Sequence, residues 1–264
     1  MIDIHCHLLP GIDDGPRTLA DSLNMARAAV DDGIEYAVVT PHLHPGRYEN
    51  TRSSIARSVR EYRAALRNAE IELVIGVGAE VRISPEILVL LDQDEIPFVG
   101  DLDGYRIMLL EFPHSHVPLG AINLVKRLLD RKVRPIIAHP ERNKDIIRDF
   151  AIIEPFIEMG CILQLTASAV AGRFGPAPHA CARRLLELRV FTVLATDAHN
   201  LKARRPGLRE GVDAAAKIIG SEAAYDMVTA NPRAIVGSVD SQHALPAAVG
   251  KADLVHDATH QPRT

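Results

Sequence analysis

Histidines and carboxylates recur in this chain at the ends of short apolar runs, and their types and spacing define a chemistry. His5 and His7 flank Cys6 at the end of the run that starts at Ile2, and Thr40-Pro41-His42 ends the run from Tyr36. Glu80 and Glu111 end the next two, and His139-Pro140-Glu141-Arg142 and Thr196-Asp197-Ala198-His199 end two more. Residues two apart in an extended strand point the same way, so His5 and His7 share a face and Cys6 takes the other. Imidazole and carboxylate without thiolate suit manganese, iron or zinc. One ion needs only about three or four protein ligands. At least eight candidates converge here, enough for two or three ions that share carboxylates. Such ions lower the pKa of a bound water and clamp the oxygens of a phosphoryl group in flight.

The elements that position these residues can be read from periodicity. Strand-length runs are expected over Ile2–His5, Tyr36–Thr40, Leu73–Glu80, Tyr105–Glu111, Arg134–His139, Ile162–Thr166 and Phe191–Thr196. Helical periods lie between them, near Thr18–Asp32, Thr51–Asn68, Ser84–Leu91, Leu119–Asp130, Phe150–Met159 and Ala177–Glu187. Gly207–Ile219 and Ser221–Ala230 close the series. Ser84-Pro85-Glu86 offers a capping hydroxyl, a first-turn proline and a carboxylate at the positive helix end. Thr18 with Asp21 resembles a capping box. Seven strand–helix units in strict alternation imply a parallel α/β sheet close to the eight units that close a barrel, with an open doubly wound sheet as competitor. Six of the seven strand ends carry a metal-ligand residue type; the sixth strand ends in Thr166-Ala167-Ser168. A barrel gathers all those ends on one face, whereas an open sheet scatters them, so the barrel is the expected fold.

The chain has 264 residues, 47% of them hydrophobic, which suits a single large core. A formal charge of −4 gives no basic field for nucleic acid. No apolar run is long enough to span a membrane, and the start carries no signal-peptide pattern. Cys6, Cys161 and Cys181 lack redox or metal-knuckle spacing, and with no secretion signal they point to a reducing cytoplasm. From about Ser238 the chain turns polar, so residues 1–237 are expected to form one domain and 238–264 a disordered tail.

Taken together, His5-x-His7, Asp13-Asp14-Gly15-Pro16, Thr40-Pro41-His42, His139-Pro140-Glu141-Arg142 and Thr196-Asp197-x-His199-Asn200 resemble the PHP superfamily, and within it the metal-dependent tyrosine phosphatases encoded beside bacterial capsule and exopolysaccharide kinases. That resemblance covers roughly Met1 to Gly237. It implies a distorted (βα)7 TIM-like barrel and a trinuclear centre, usually manganese-loaded. His5, His7, Glu80 and Asp197 would hold the first ion, and Glu80 would bridge to a second held by Glu111 and His139. Asp14, with the adjacent Asp13 as its rival, would hold the third with His42 and His199. Many superfamily members carry histidine where Glu111 stands, so the acid fits the phosphatase branch. Arg142 and Arg204 match the arginines that family members use on phosphate, with Arg205 as the alternative to Arg204. The implied substrate is phosphotyrosine on a protein, a membrane-associated bacterial tyrosine autokinase being the partner.

Bland readings compete for several of these residues. His114, His116, His179, His243, His256 and His260 read as ordinary surface histidines, and His44 as a neighbour of the site. Arg142 could simply pair with Glu141 or Asp145. A cysteine-type tyrosine phosphatase needs arginine six residues after its nucleophile; here those positions hold Ile12, Ala167 and Glu187. Two other functions keep the ligand set: hydrolysis of a small phosphate ester resembling histidinol phosphate, and a non-catalytic, metal-stabilised scaffold that binds a kinase.

Overall fold

Each of the seven apolar runs is extended in the structure, a computed structural model that describes residues 1–237. The tail expected over 238–264 lies outside the described residues. β1 (Ile2–Cys6) is followed by β2 (Tyr36–Val39), β3 (His42–Leu43), β4 (Val74–Val77) and β5 (Glu80–Arg82). Then come β6 (Gly100–Leu102), β7 (Tyr105–Glu111), β8 (Val133–Ala138), β9 (Ile162–Thr166) and β10 (Thr192–Ala195). The second and third runs are thus each interrupted, at Thr40-Pro41 and at Gly78-Ala79. Hydrogen bonds bridge both breaks, from Gly78 N–H to Val39 O at 3.0 Å and from Glu80 N–H to Pro41 O at 3.1 Å.

β1, β2 and β4 form one parallel sheet, and β3, β5, β7, β8, β9 and β10 continue in that order as a second. The first and last runs join through a parallel bridge between Cys6 and Ala198. Asp197 N–H bonds His5 O at 2.8 Å there, and His7 N–H bonds Ala198 O at 2.9 Å. Hydrogen bonding therefore passes round all seven runs, and the parallel ring is the distorted barrel expected. β6 was not anticipated; it pairs antiparallel with β7.

The helices are α1 (Leu19–Asp31), α2 (Arg52–Asn68), α3 (Ile87–Asp92), α4 (Ala121–Asp130), α5 (Lys144–Arg148) and α6 (Glu154–Glu158). α7 (Ala167–Val170), α8 (Pro176–Glu187), α9 (Arg209–Ile219), α10 (Ser221–Asp226) and α11 (Ala230–Val236) complete the set. Three expectations need correction. Ser84 does not cap α3, which starts at Ile87 with no side-chain cap; Ile87 N–H bonds the Ser84 carbonyl at 3.3 Å instead. The helix expected over Phe150–Met159 splits into a 3-10 turn, Phe150–Ile153, and α6, because Pro155 has no N–H to continue the first turn. Ser221–Ala230 likewise divides between α10 and α11. At Thr18 the box forms by half: the hydroxyl accepts from Asp21 N–H at 3.1 Å and donates to the Asp21 carboxylate at 2.7 Å.

Two apolar layers follow from strand alternation. Ile2, Ile4, Tyr36, Val38, Ile107, Leu109, Ile136, Ile162 and Val193 fill the inside of the ring, closed below by Ile235 and Val236 of α11. The opposite strand faces pack outward on the helices, which present Met25, Ala26 and Ala29 of α1 and Ile55, Val59, Tyr62 and Leu66 of α2. The α2 positions recur at one helical face. Truncating one such fully buried side chain to alanine costs about 2–5 kcal/mol. No helix of the described residues is long and apolar enough to cross a membrane.

Candidate metal centre

Alternation also decides what the upper half of the ring contains. Tyr36 and Val38 face inward, so the same period carries Thr40 and His42 inward; Ile107 and Leu109 lead to Glu111, and Ile162 leads to Gln164. β1 needs a further device. Ile2 and Ile4 lie in the inner layer, and unbroken alternation would send Cys6 in and His5 and His7 out. A register shift between Asp3 and Cys6 reverses the pattern. Cys6 consequently packs in the outer layer, its thiol donating to Val38 O at 3.4 Å, while His5 and His7 reach the centre. His139 and Asp197, just past β8 and β10, are aimed by left-handed backbone, φ 31° and 51°. Non-glycine residues adopt that conformation at a cost, and such residues gather at functional sites. Gly15 lets the Asp13-Asp14 loop close over the centre; a Cβ there would stand 2.7 Å from His7 O.

Three groups of donor atoms result, each with its members within 4.8 Å of one another: His5, His7, Glu80 and Asp197; His7, Asp14, His42 and His199; and His42, Glu80 and Glu111. Glu80 is the hub. Its Oε2 lies 3.4 Å from His5 Nε2, 3.3 Å from His7 Nε2 and 2.9 Å from His42 Nδ1. Its Oε1 lies 3.0 Å from His139 Nε2, which joins His139 to the centre although it shares in none of the three groups. Asp14 Oδ1 stands 3.2 Å from His42 Nε2 and 3.3 Å from His199 Nε2. Asp13 sits behind, accepting from His7 Nδ1 at 2.7 Å and from His42 N–H at 3.1 Å. The two adjacent acids therefore differ in place, Asp14 among the donors and Asp13 behind a ring.

The proton positions fit a cation. Gln164 Oε1 accepts the His139 backbone N–H at 3.1 Å, so it is the amide oxygen, and His5 Nδ1, 2.8 Å away, must donate to it. His7 Nδ1 donates to Asp13, and His199 Nδ1 donates to Asp197 O at 2.9 Å. As neutral rings, all three offer a lone pair at Nε2. The Nε2 atoms of His5 and His7 are 3.3 Å apart, a separation that would suit two lone pairs facing one cation. Glu80 Oε2, Glu111 Oε2, Asp197 Oδ1, His42 Nδ1 and His199 Nε2 are buried without a hydrogen-bond partner among the described residues. Buried polar atoms are seldom left so, and these five face one centre, where a cation would satisfy them.

Electrostatics agree. Burial opposes charge on His7 and His42, yet Asp13 outweighs it at the first and Glu80 at the second, lifting them to about 9 and about 11. Burial and the charge of Glu80 push Glu111 up to about 7. Against burial, His5, Arg204 and Arg142 hold Asp197 well below the usual carboxylate range. His139 and His199 fall to about 4, through burial and then the cations of Arg142 and His7 respectively, and stay neutral. Carboxylates that must otherwise draw protons onto their neighbours are well suited to divalent cations.

Arg142 and Arg204 meet at Asp197. Arg142 Nη1 and Arg204 Nη2 both donate to Asp197 Oδ2, the latter at 2.6 Å, while Oδ1 faces His5 at 3.3 Å. Arg142 thus pairs with neither Glu141 nor Asp145, the bland partners considered for it; Glu141 accepts from Thr166 N–H and Asp145 pairs with Arg148. Arg204 is half-buried and Arg205 exposed. On the outer side of the two arginines lies a cavity of about 390 Å³ whose walls include His114 and Lys144. His114 is exposed, as its sequence reading had it, and borders this cavity. His44 belongs to none of the donor groups, and His243, His256 and His260 lie outside the described residues.

Several residues of the site had escaped sequence reasoning. Gln164 is buried on the one strand thought to contribute nothing, and its signal was a lone polar residue in the run Ile162-Leu-Gln-Leu165. Arg82 Nε stands 3.1 Å from Glu111 Oε2, and the Tyr48 ring stacks on His42 with centroids 5.3 Å apart. Neither had a sequence signal.

Comparison with known proteins adds five findings. Residues 1–237 match the family described as capsular polysaccharide synthesis, CpsB/CapC. The chain is 37% identical over 231 residues to the tyrosine-protein phosphatase YwqE of Bacillus subtilis, covering 88% of this chain and 89% of that one. It is 30% identical over 242 residues to the tyrosine-protein phosphatase CpsB of Streptococcus pneumoniae, covering 89% and 98%. A crystal structure from the YwqE and CpsB pair, described as unique metal-dependent tyrosine phosphatases, superposes with a TM-score of 0.83 at 36% identity, over 90% of this chain and 95% of that one. More distantly, the phosphotriesterase homology protein of Escherichia coli shares the fold, at a TM-score of 0.55 and 14% identity, over 88% of this chain and 97% of that one.

Proposed function

The chain belongs to the CpsB/CapC family, and from that premise we propose that it is a metal-dependent phosphatase of phosphotyrosine on proteins. The observation that carries this reading is the set of orphaned donors around Glu80, set directly beside two arginines that share Asp197. In the proposed arrangement His5, His7, Glu80 and Asp197 hold one ion. Glu80, Glu111 and His139 hold a second, and Asp14, His42 and His199 a third. Two to three manganese ions are proposed, with iron or zinc as substitutes, because the donors are nitrogen and oxygen and the cysteines are buried elsewhere. When bound, such ions supply an activated water and neutralise phosphoryl oxygens.

The chain's own residues do the rest. Gln164, Asp13 and the Asp197 carbonyl fix three imidazole tautomers, so Nε2 of each faces the centre. Arg142 and Arg204 stand between centre and cavity, where planar guanidinium forks can take two phosphate oxygens each. Covalent cysteine catalysis has no residue to run it: Cys6, Cys161 and Cys181 are buried, and burial pushes the Cys6 thiol well up.

The proposed partner is a tyrosine-phosphorylated protein of the capsule or exopolysaccharide machinery, a membrane-associated tyrosine kinase, met in the cytoplasm. The test compares phosphate release from a kinase-tail phosphotyrosyl peptide with release from its phosphoseryl twin and from histidinol phosphate. Strong preference for the first supports the reading; preference for histidinol phosphate would replace it with a metabolite phosphatase.

A further inference from the structure

The cavity beside Asp197 is one-sided in charge. Arg142, Arg204 and Lys144 bring positive charge to its walls, His114 adds an imidazole whose pKa is lowered by burial and by the cations of Arg142 and Lys144, and no carboxylate among the described residues lines it. The two arginines turn inward to Asp197 Oδ2, which marks the deep end. Phe174 lies beneath Arg142, its ring centre 5.2 Å from the guanidinium carbon, and with Ile147 and Pro178 makes an apolar wall. Lys144 and His114 are exposed and tied together by a bond from Lys144 N–H to His114 O at 3.0 Å. The ammonium of Lys144 forms no ion pair among the described residues, and the carboxylates next to it in sequence are engaged. Asp145 accepts from Arg148 at 2.7 Å and from Val117 N–H at 3.2 Å, and Glu141 is buried against Thr166 N–H.

Resting on the phosphatase reading, we propose that this cavity is the slot for the phosphotyrosyl side chain, with Phe174 as its aromatic wall, and that Lys144 with His114 forms an anion subsite reading an acidic residue next to the phosphotyrosine. A ring whose phosphate reaches both guanidiniums lies alongside Phe174, where aromatic pairs gain beyond simple burial. An acidic neighbour in the peptide then meets the one ammonium of the cavity that has no partner. Such a rim charge acts on encounter and binding more than on the chemical step.

The experiment uses the metal-loaded enzyme and two phosphotyrosyl peptides that differ only in carrying glutamate or glutamine beside the phosphotyrosine. A phosphonate analogue of the acidic peptide, which cannot be hydrolysed, gives Kd by calorimetry. Wild type should favour the acidic peptide through KM, and the preference should shrink with salt. Lys144→Glu should raise KM for the acidic peptide and Kd for its analogue roughly three- to ten-fold, since it turns an exposed attraction into repulsion. The kcat values should hold, KM for a small aryl phosphate should rise less than KM for the acidic peptide, and Lys144→Arg should keep the preference. Phe174→Ala should raise KM for both peptides roughly several-fold while the acidic preference persists. Equal KM for the two peptides in wild type, or Kd and KM untouched by Lys144→Glu, overturns the anion subsite; peptide KM untouched by Phe174→Ala overturns the aryl slot. A wild type that turns over neither peptide overturns the phosphatase reading, and the analogue's Kd for wild type and Lys144→Glu still decides the subsite.

Discussion

Gln164 Oε1 receives two protons at once, from the His139 backbone at 3.1 Å and from His5 Nδ1 at 2.8 Å, so one amide sets both the loop after β8 and the tautomer of His5. Because the backbone can only donate, the amide cannot turn over without losing that bond.

Replacing Gln164 with leucine should therefore leave the barrel folded but let His5 rotate. Loss of such an orienting partner weakens metal affinity about 10- to 100-fold. Competition with a chelator measures this directly, and Gln164→Glu, which keeps an acceptor, should lose less. Equal metal retention in Gln164→Leu and wild type would remove the orienting role.

Glu80 touches four imidazoles and should be the most costly donor to change. Glu80→Gln should lose bound metal and turnover together. His42→Ala should empty one position and leave the others partly filled, since His5, His7 and Asp197 do not depend on it. Elemental analysis of both variants checks this; full occupancy in both contradicts the proposed ligand map.

Arg142→Ala and Arg204→Ala should keep their metals and lose roughly a hundred- to thousand-fold in rate, about 2.7–4 kcal/mol for one well-placed donor. Arg142→Lys should recover only part of that, because an ammonium lacks the fork. Arg205→Ala should behave as wild type, its side chain being exposed while Arg204 reaches Asp197. Steady-state rates on a phosphotyrosyl peptide decide the matter, and wild-type rates in both Arg142→Ala and Arg204→Ala would leave phosphate binding to other groups.

Cys6→Ser should retain most activity, and thiol alkylation of the folded enzyme should not inactivate it, because Cys6 lies in the outer layer with its thiol on Val38 O. Selective loss of turnover in Cys6→Ser with fold and metal intact would restore a covalent route.

Much of this arrangement was legible in the sequence because strand alternation is a short-range rule. Counting by twos from Val38 and from Leu109 delivers His42 and Glu111 to the inside with no tertiary information. His5 and His7 obey that rule only through the shift after Asp3, and His139 and Asp197 escape it through left-handed backbone. Both devices depend on how the first and last runs join round the ring, a contact no local window contains. The cavity was invisible for the same reason: His114, Arg142, Phe174 and Arg204 come from separate loops and meet only once the barrel closes. Local propensity failed at Ser84, whose carbonyl rather than hydroxyl meets the helix start.

The central claim is that ions held around Glu80 are required for phosphotyrosine hydrolysis, and one titration tests it most directly. Metal-stripped protein would receive manganese in measured equivalents while phosphate release from a phosphotyrosyl peptide is followed, with Glu80→Gln in parallel. The account predicts no turnover without metal, a rise that saturates near two to three equivalents, and no rise in Glu80→Gln. Full turnover by stripped wild-type protein in excess chelator, or a manganese response that Glu80→Gln shares, would contradict it.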